Sequence, residues 1–327
     1  MKRIKQLLAA CLFMGSVVAL TPAYAADNVL PDLGDKTAQA IAADALRKDA
    51  TCTRCHDETE TAPILNLYQT KHGVRGDART PTCQSCHGES KNHLGGAKDG
   101  TGRPSPDFIF KKGVYSQSDE KARADQCLAC HKGGKRSNWD GGQHQTAGLA
   151  CNDCHVVHRP KDKLMDKRTQ TEVCFACHKD QRADTKKMSH HPIQEGKITC
   201  SDCHNPHGST GPTLLKKNTV NETCWQCHAE KRGPFLFEHQ PAVENCTNCH
   251  TPHGSSITPL LKSRAPFLCQ ECHDGPHQSP TAFGPNVAGV QGGFTGSANA
   301  NYNGRACMNC HTQVHGSNSP AGGYLQR

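Results

Sequence analysis

The sequence predicts an elongated chain, mostly coil with short helices and almost no sheet, whose interior is not built from ordinary side chains. Three observations predict this. First, aromatic residues are 5% of the 327, and the hydrophobic fraction of 35% counts 21 cysteines. Large apolar side chains are therefore too few for a conventional core at this length. Second, Cys-x-x-Cys-His occurs ten times, starting at Cys52, Cys83, Cys127, Cys151, Cys174, Cys200, Cys224, Cys246, Cys269 and Cys307. Third, eleven further histidines are threaded between these motifs in regular alternation.

Cys-x-x-Cys-His is the attachment signal for c-type haem. The two thiols, completed in each motif by Cys55, Cys86, Cys130, Cys154, Cys177, Cys203, Cys227, Cys249, Cys272 and Cys310, add to the porphyrin vinyl groups. The adjacent histidine then lies under the iron. This gives ten proximal ligands: His56, His87, His131, His155, His178, His204, His228, His250, His273 and His311. Zinc knuckles built on Cys-x-x-Cys pairs do not explain a histidine after the second cysteine every time. The fold class is thus a multihaem cytochrome c with ten covalent haems. At about 30 residues per haem the macrocycles are the core, and the apo chain should not fold.

Residues 1–25 read as a secretory signal peptide. Lys2, Arg3 and Lys5 are a basic start, Leu7 to Leu20 is mostly apolar, and Ala23-Tyr24-Ala25 is a cleavage site. A lipoprotein box around Cys11 is the rival reading, but the main apolar stretch follows that cysteine. No later segment is long and apolar enough to cross a bilayer. Cleavage leaves 302 residues in which every cysteine belongs to a motif, so a disulfide framework is excluded.

The sixth iron position needs a ligand. Methionine could serve at most three irons, through Met165, Met188 and Met308. The free histidines are His72, His93, His144, His158, His190, His191, His207, His239, His253, His277 and His315. Motif and free histidine alternate along the chain. We read five dihaem modules, about residues 52–93, 127–158, 174–207, 224–253 and 269–315, with two free histidines each. His190-His191 is one too many. His191 stands before Cys200 at a spacing like that of His144 before Cys151 and His239 before Cys246, and is the expected ligand. His207, three residues after His204, cannot reach round its own macrocycle, so it is expected to serve a neighbouring haem.

With both axial positions filled, no iron is open to substrate, and no Cys-x-x-Cys-Lys occurs. The expected role is electron transfer at low potential. The formal charge of +8 includes three positives of the signal peptide. Two propionates per haem bring the holoprotein to roughly −5 oxidised and −15 reduced. Nucleic-acid binding has little support, and cations such as Lys231, Arg232 and Lys262 either offset propionates or are solvated surface.

Residues 35–49 are expected to form a helix capped by Asp35 or Thr37, within an N-terminal segment 26–50 that precedes the haem domain 51–327. Residues 94–118 and 274–306 are Gly-rich connections, expected to be exposed coverings. The tail Gly316–Arg327 is expected to be an extended, partner-facing end.

CSDCHNPHGS (200–209), HAEKRGP (228–234), ENCTNCHTPHGS (244–255), LLKSRAPFLCQECH (260–273) and CMNCHTQVHGSN (307–318) resemble the MtrA/DmsE-type periplasmic decahaem cytochromes, a family that includes iron-oxidising MtoA/PioA-like members. The resemblance covers the chain from about residue 50 onward, and the Ser-His-Pro context supports His191. It implies insertion into an outer-membrane β-barrel porin that shields the cytochrome from lipid. Electrons would pass between periplasmic or inner-membrane cytochromes and extracellular metal, with an outer-surface multihaem cytochrome completing the path. Relatives run in both directions, reducing Fe(III) or Mn(IV) or oxidising Fe(II), and haem ligation does not fix which. The rival reading is a free periplasmic shuttle to a soluble reductase. A haem enzyme would require an open iron.

Overall fold

The computed structural model describes residues 35–59, 63–74, 77, 79–96, 102–111, 118–273, 307–320 and 322–325. The signal segment with Cys11, the connection 274–306 and its His277 lie outside the described residues.

Among the described residues twelve α-helices follow one another: α1 (Asp35–Thr53), α2 (Cys83–His87), α3 (Lys91–Gly95), α4 (Glu120–Leu128), α5 (Gln143–Thr146), α6 (Cys151–Cys154), α7 (Lys167–Phe175), α8 (Lys179–Asp184), α9 (Cys200–Cys203), α10 (Val220–Cys224), α11 (Gln240–Glu244) and α12 (Phe267–Gln270). The sheet among the described residues is one antiparallel pair, β1 (Phe237–Glu238) with β2 (Gly316–Ser317). Coil and short 3-10 turns make up the rest. Among the described residues the buried hydrophobic ones are Ala124, Trp139, Ala150 and Leu215. A cluster that small cannot offset the chain entropy of such a length, so the fold is organised around the interior its motifs line.

Two kinds of start signal bring a motif into a helix. Helices that run into the first, third, fifth and seventh motifs begin before the motif and are mostly capped by a side chain. Asp119 accepts from Ala122 N at 2.6 Å, Asp166 from Arg168 N at 3.0 Å, and Thr219 with Glu222 forms a reciprocal capping box. The second, fourth and sixth motifs are single turns held by a polar residue inside the motif. Ser85 Oγ, Asp153 Oδ2 and Asp202 Oδ2 accept from the backbone N of Thr82, Ala150 and Thr199.

Buried polar side chains then tie the two motifs of a module together. Asp49, three residues before Cys52, is 1% exposed and accepts from Cys83 N at 3.0 Å and from the Tyr68 hydroxyl at 3.0 Å. Asn221, three residues before Cys224, is 3% exposed and accepts from Cys246 N at 2.7 Å. Arg123, before Cys127, is buried and donates to Asn152 Oδ1 at 3.1 Å beside Asp153. Gln170 Oε1, before Cys174, accepts from Ser201 N.

Three expectations need correction or extension. Helix α1 continues past residue 49 to Thr53 and so carries Cys52 itself, because nothing in that stretch breaks a helix before the motif's own turn closes it. The described part of the tail packs back on the chain: Gly316–Ser317 pairs with Phe237–Glu238, Gln313 N donates to Leu325 O, and Ser317 is 3% exposed. A polar segment rich in small residues can lie flat on its neighbours and satisfy its backbone there. Residues 102–111, expected as a covering, supply carbonyls to two histidines, as described below.

Candidate haem site

Each motif closes as one helical turn. The histidine N–H donates to the first cysteine's carbonyl at 3.1 Å in His56, 2.9 Å in His131, 2.8 Å in His155 and 2.9 Å in His204, with the same bond at His178, His228, His250, His273 and His311. At 3.6 residues per turn, cysteines at i and i+3 and the histidine at i+4 then share one face. The motif cysteines and the described histidines line one continuous interior space of about 5250 Å³.

The cysteines give this space an order. First cysteines lie side by side within a module: Cys127 with Cys151, Cys174 with Cys200, Cys224 with Cys246, Cys52 with Cys83 and Cys269 with Cys307 each act on the other's thiol. Second cysteines lie within electrostatic reach across module boundaries, Cys86 with Cys130, Cys203 with Cys227 and Cys249 with Cys272. With Cys154 within the same reach of Cys174, the ten motifs follow one another in space as they do in sequence. Burial, with Asp49 adding to it, pushes the Cys83 thiol up to about 12, which keeps it a thiol.

The histidines pair. His56 faces His93 with ring centroids 6.1 Å apart, His72 faces His131 at 5.8 Å, and His158 faces His87 at 6.2 Å. His144 faces His178 at 6.1 Å, His207 faces His155 at 6.2 Å, and His191 faces His228 at 6.3 Å. His253 faces His204, His239 faces His273, and His315 faces His250, each at 6.1 Å. Every pair joins one motif histidine to one free histidine. Two imidazoles bound through Nε2 at about 2 Å from a shared metal, as in ordinary metal–imidazole bonds, have their centroids about 6 Å apart. The spacing thus fits an axial pair on either side of a macrocycle, with the thioether cysteines at its edge.

The pairing obeys a rule. A free histidine that follows an odd motif meets the next odd motif: His72 reaches His131, His144 reaches His178, His191 reaches His228 and His239 reaches His273. A free histidine three or four residues after an even motif reaches back to the preceding even motif: His158 to His87, His207 to His155, His253 to His204 and His315 to His250. Neighbouring modules exchange histidines in both directions. At the N-terminal end, where no earlier motif pair stands, His93 closes on His56.

Carbonyls fix the free rings. His144 Nδ1 donates to Pro206 O at 2.8 Å, His191 Nδ1 to Pro252 O at 2.7 Å and His239 Nδ1 to Val314 O at 2.8 Å. Each acceptor immediately precedes His207, His253 or His315, so the two exchanged histidines are bonded through one peptide. The PHG segments that reach back need glycine. A Cβ on Gly208 or Gly254 would overlap the carbonyl of Asn138 or Asp184, and Gly208 has φ +104°. His190 faces no motif histidine among the described residues and is bound locally, with Nδ1 on Lys187 O at 2.5 Å and Nε2 3.5 Å from Glu195.

Motif rings are held similarly, His204 by Thr213 O at 2.9 Å, His250 by Pro259 O at 2.9 Å and His311 by Tyr324 O at 2.6 Å. Phe108 O takes His87 Nδ1 at 2.8 Å and Pro104 O takes His93 Nδ1 at 2.6 Å. Sequence reasoning missed these acceptors, since a carbonyl leaves no mark on residue type; the prolines at 104, 206, 252 and 259 were the available hint. Burial lowers the pKa of His72, His87, His158, His204, His253 and His315. Burial, and then the adjacent His155 ring, push His207 down to about 4. Neutral imidazole is the ligating form. Arg232, read as propionate partner or surface, lies over the Trp225 ring at 5.9 Å.

Two family models match. One describes a doubled CXXCH motif, over residues 190–233 and 239–279, and the other a cytochrome c-type protein, NrfB-like, over residues 83–168. The doubled-motif segments run one motif out of step with the five modules, and each contains a closed pair, His191 with His228 and His239 with His273. The multiheme cytochrome MtrA of Shewanella baltica is 43% identical over 286 residues, 85% of this chain and 80% of that protein. The cytochrome c-type protein NrfB of Haemophilus influenzae is 31% identical over 150 residues, 40% of this chain and 65% of that protein. Paired attachment motifs, an interior lined by them and identity over most of both chains agree: the chain belongs to the MtrA family of multihaem c-type cytochromes, electron-transfer proteins with covalently bound haem.

Proposed function

We propose that this chain carries ten haems c, each iron held between a motif histidine and a free histidine, and conducts electrons across the outer membrane inside a β-barrel porin. The single observation that carries the reading is the set of nine histidine pairs spanning 5.8 to 6.3 Å. With nine motif histidines matched, His311 remains, and His277 is assigned to it by elimination over His190. Bound haem supplies one-electron ferric–ferrous chemistry. The chain's residues do the rest. Cysteines fix each macrocycle's edge, exchanged histidines lock neighbouring modules, and the sequential cysteine contacts keep the sites in file. Two ligands per iron leave substrate no place to bind, which favours a wire over a catalyst.

Among the described residues no helix is long and apolar enough to cross a membrane. A sheath supplied by a barrel satisfies the bilayer's demand for closed backbone hydrogen bonding. The donors are periplasmic or inner-membrane cytochromes, or in the reverse direction the acceptors; extracellular metal, with or without an outer-surface multihaem cytochrome, is the other terminus.

The test is to solubilise outer membranes of the host in mild detergent and recover the cytochrome with whatever holds it. The recovered material is rebuilt into liposomes loaded with a redox dye, with ferrous iron or ferric oxide outside. A co-purifying barrel and a dye response across the bilayer support the conduit. A cytochrome confined to the periplasmic fraction, with no dye response, refutes it and leaves the shuttle.

A further inference from the structure

The haem site of Cys151, Cys154 and His155 is built differently from its neighbours. His155 Nδ1 meets not a carbonyl but the Asp162 carboxylate, Oδ2 at 2.5 Å. The carboxylate cannot swing away, because its Oδ1 accepts from Leu164 N at 3.0 Å and caps the 3-10 turn Lys163–Met165. Both side chains are largely shielded, His155 at 34% and Asp162 at 21% exposure. The nearest other carboxylate of the motif, Asp153, is offset by the buried Arg123 guanidinium at 3.4 Å. Lys163, adjacent in sequence, is engaged with Glu172 at 2.8 Å.

The ring on the opposite side carries no such bond. His207 Nδ1 is buried without a hydrogen-bond partner. His144, His191 and His239 each give that proton to a carbonyl. One imidazole of this facing pair therefore donates to a carboxylate, and the other has no hydrogen-bond partner among the described residues.

We propose that Asp162 is a positioning and tuning residue that makes the fourth haem site, in the interior of the chain, lower in potential than its neighbours. The inference rests on the axial pairing of His155 with His207 given above. A carboxylate on Nδ1–H raises the basicity of the ligating Nε2 and favours the higher-charged metal, which lowers the reduction potential. Lys135 and Arg136 near His207 act in the opposite sense. Lys135 is exposed and therefore screened, and Arg136, whose Nε donates to His131 O at 3.2 Å, keeps its charge but acts on His207 only through space. The carboxylate acts through the ligand bond itself and prevails. A low step at the fourth site from one end sets a hill that electrons cross in either direction, so it governs flux without fixing direction.

The experiment is a potentiometric titration of the full-length holoprotein followed in the visible bands, with haem content and spin state measured alongside. Asp162→Asn keeps an acceptor of the same shape and removes the charge. It is expected to retain every haem in the low-spin state and to move one haem's share of the α-band amplitude to higher potential. Asp162→Glu is expected to return that share toward its original position. An Asp162→Asn titration superimposable on the parent overturns the inference, as does a shift that Asp162→Glu fails to reverse. Loss of a haem or a high-spin signal in Asp162→Asn also overturns it, because the residue would then hold structure and not potential. His207→Ala separates the two levels. If it leaves every haem low-spin, the axial pairing itself falls. If it yields one high-spin iron while Asp162→Asn changes nothing, only the tuning inference falls.

Discussion

Gly208 follows His207 and sits against the backbone of the preceding module. Replacing it with alanine introduces two costs. Its φ of +104° lies where L side chains are strained, and residues forced into such regions cost about 1–3 kcal/mol. The new Cβ would also overlap the carbonyl oxygen and carbon of Asn138, and these are main-chain atoms that cannot rotate aside. Overpacking of that kind adds about 1–3 kcal/mol. Gly148 provides the control. Its φ is +77° but a Cβ there would have no atom within 4 Å, so Gly148→Ala bears a conformational cost of about 1–2 kcal/mol alone. Gly208→Ala should therefore unfold at a lower temperature than Gly148→Ala, by near-ultraviolet and Soret circular dichroism of the holoprotein. It should also show high-spin iron on warming before the bulk transition, because His207 is the residue displaced. Equal melting of the two variants, with no early spin change, would refute the argument that the PHG segment is wedged against the neighbouring module.

Three further outcomes follow from the same geometry. His144→Ala should open the iron at Cys174–Cys177, although His144 lies in sequence between the motifs at Cys127 and Cys151; a high-spin band that disappears when Cys174 and Cys177 are also replaced identifies it. Asn221→Ala strips a buried acceptor from Cys246 N and a donor from Ala242 and Val243, and should destabilise that module by about 1–3 kcal/mol, seen as earlier loss of its haem's low-spin signal in denaturant. Chain produced without haem attachment should show no cooperative thermal transition by calorimetry, since Ala124, Trp139, Ala150 and Leu215 are all the buried hydrophobic residues among those described.

Much of the site was legible from residue order alone. The i, i+3, i+4 arrangement of two thiols and an imidazole is local, so Cys200, Cys203 and His204 reveal an attachment turn without any tertiary information. The short reach of a three-residue offset was equally local, and it pointed His207 away from its own motif. The fold class was legible for a negative reason: too few large apolar side chains can only mean that something else fills the interior. What residue order could not contain was the partner of each free histidine. His207 meets His155 across 52 positions, and His191 meets His228 across 37, because the partner depends on how consecutive turns stack. Nor could it show that residues 102–111 and Tyr324 offer carbonyls to His87, His93 and His311. Every residue has a carbonyl, and only the path of the chain decides which one faces an imidazole. The chemistry of the ten motifs was thus set by sequence, and the exchange of histidines between modules, with the carboxylate on His155 Nδ1, was set by tertiary packing.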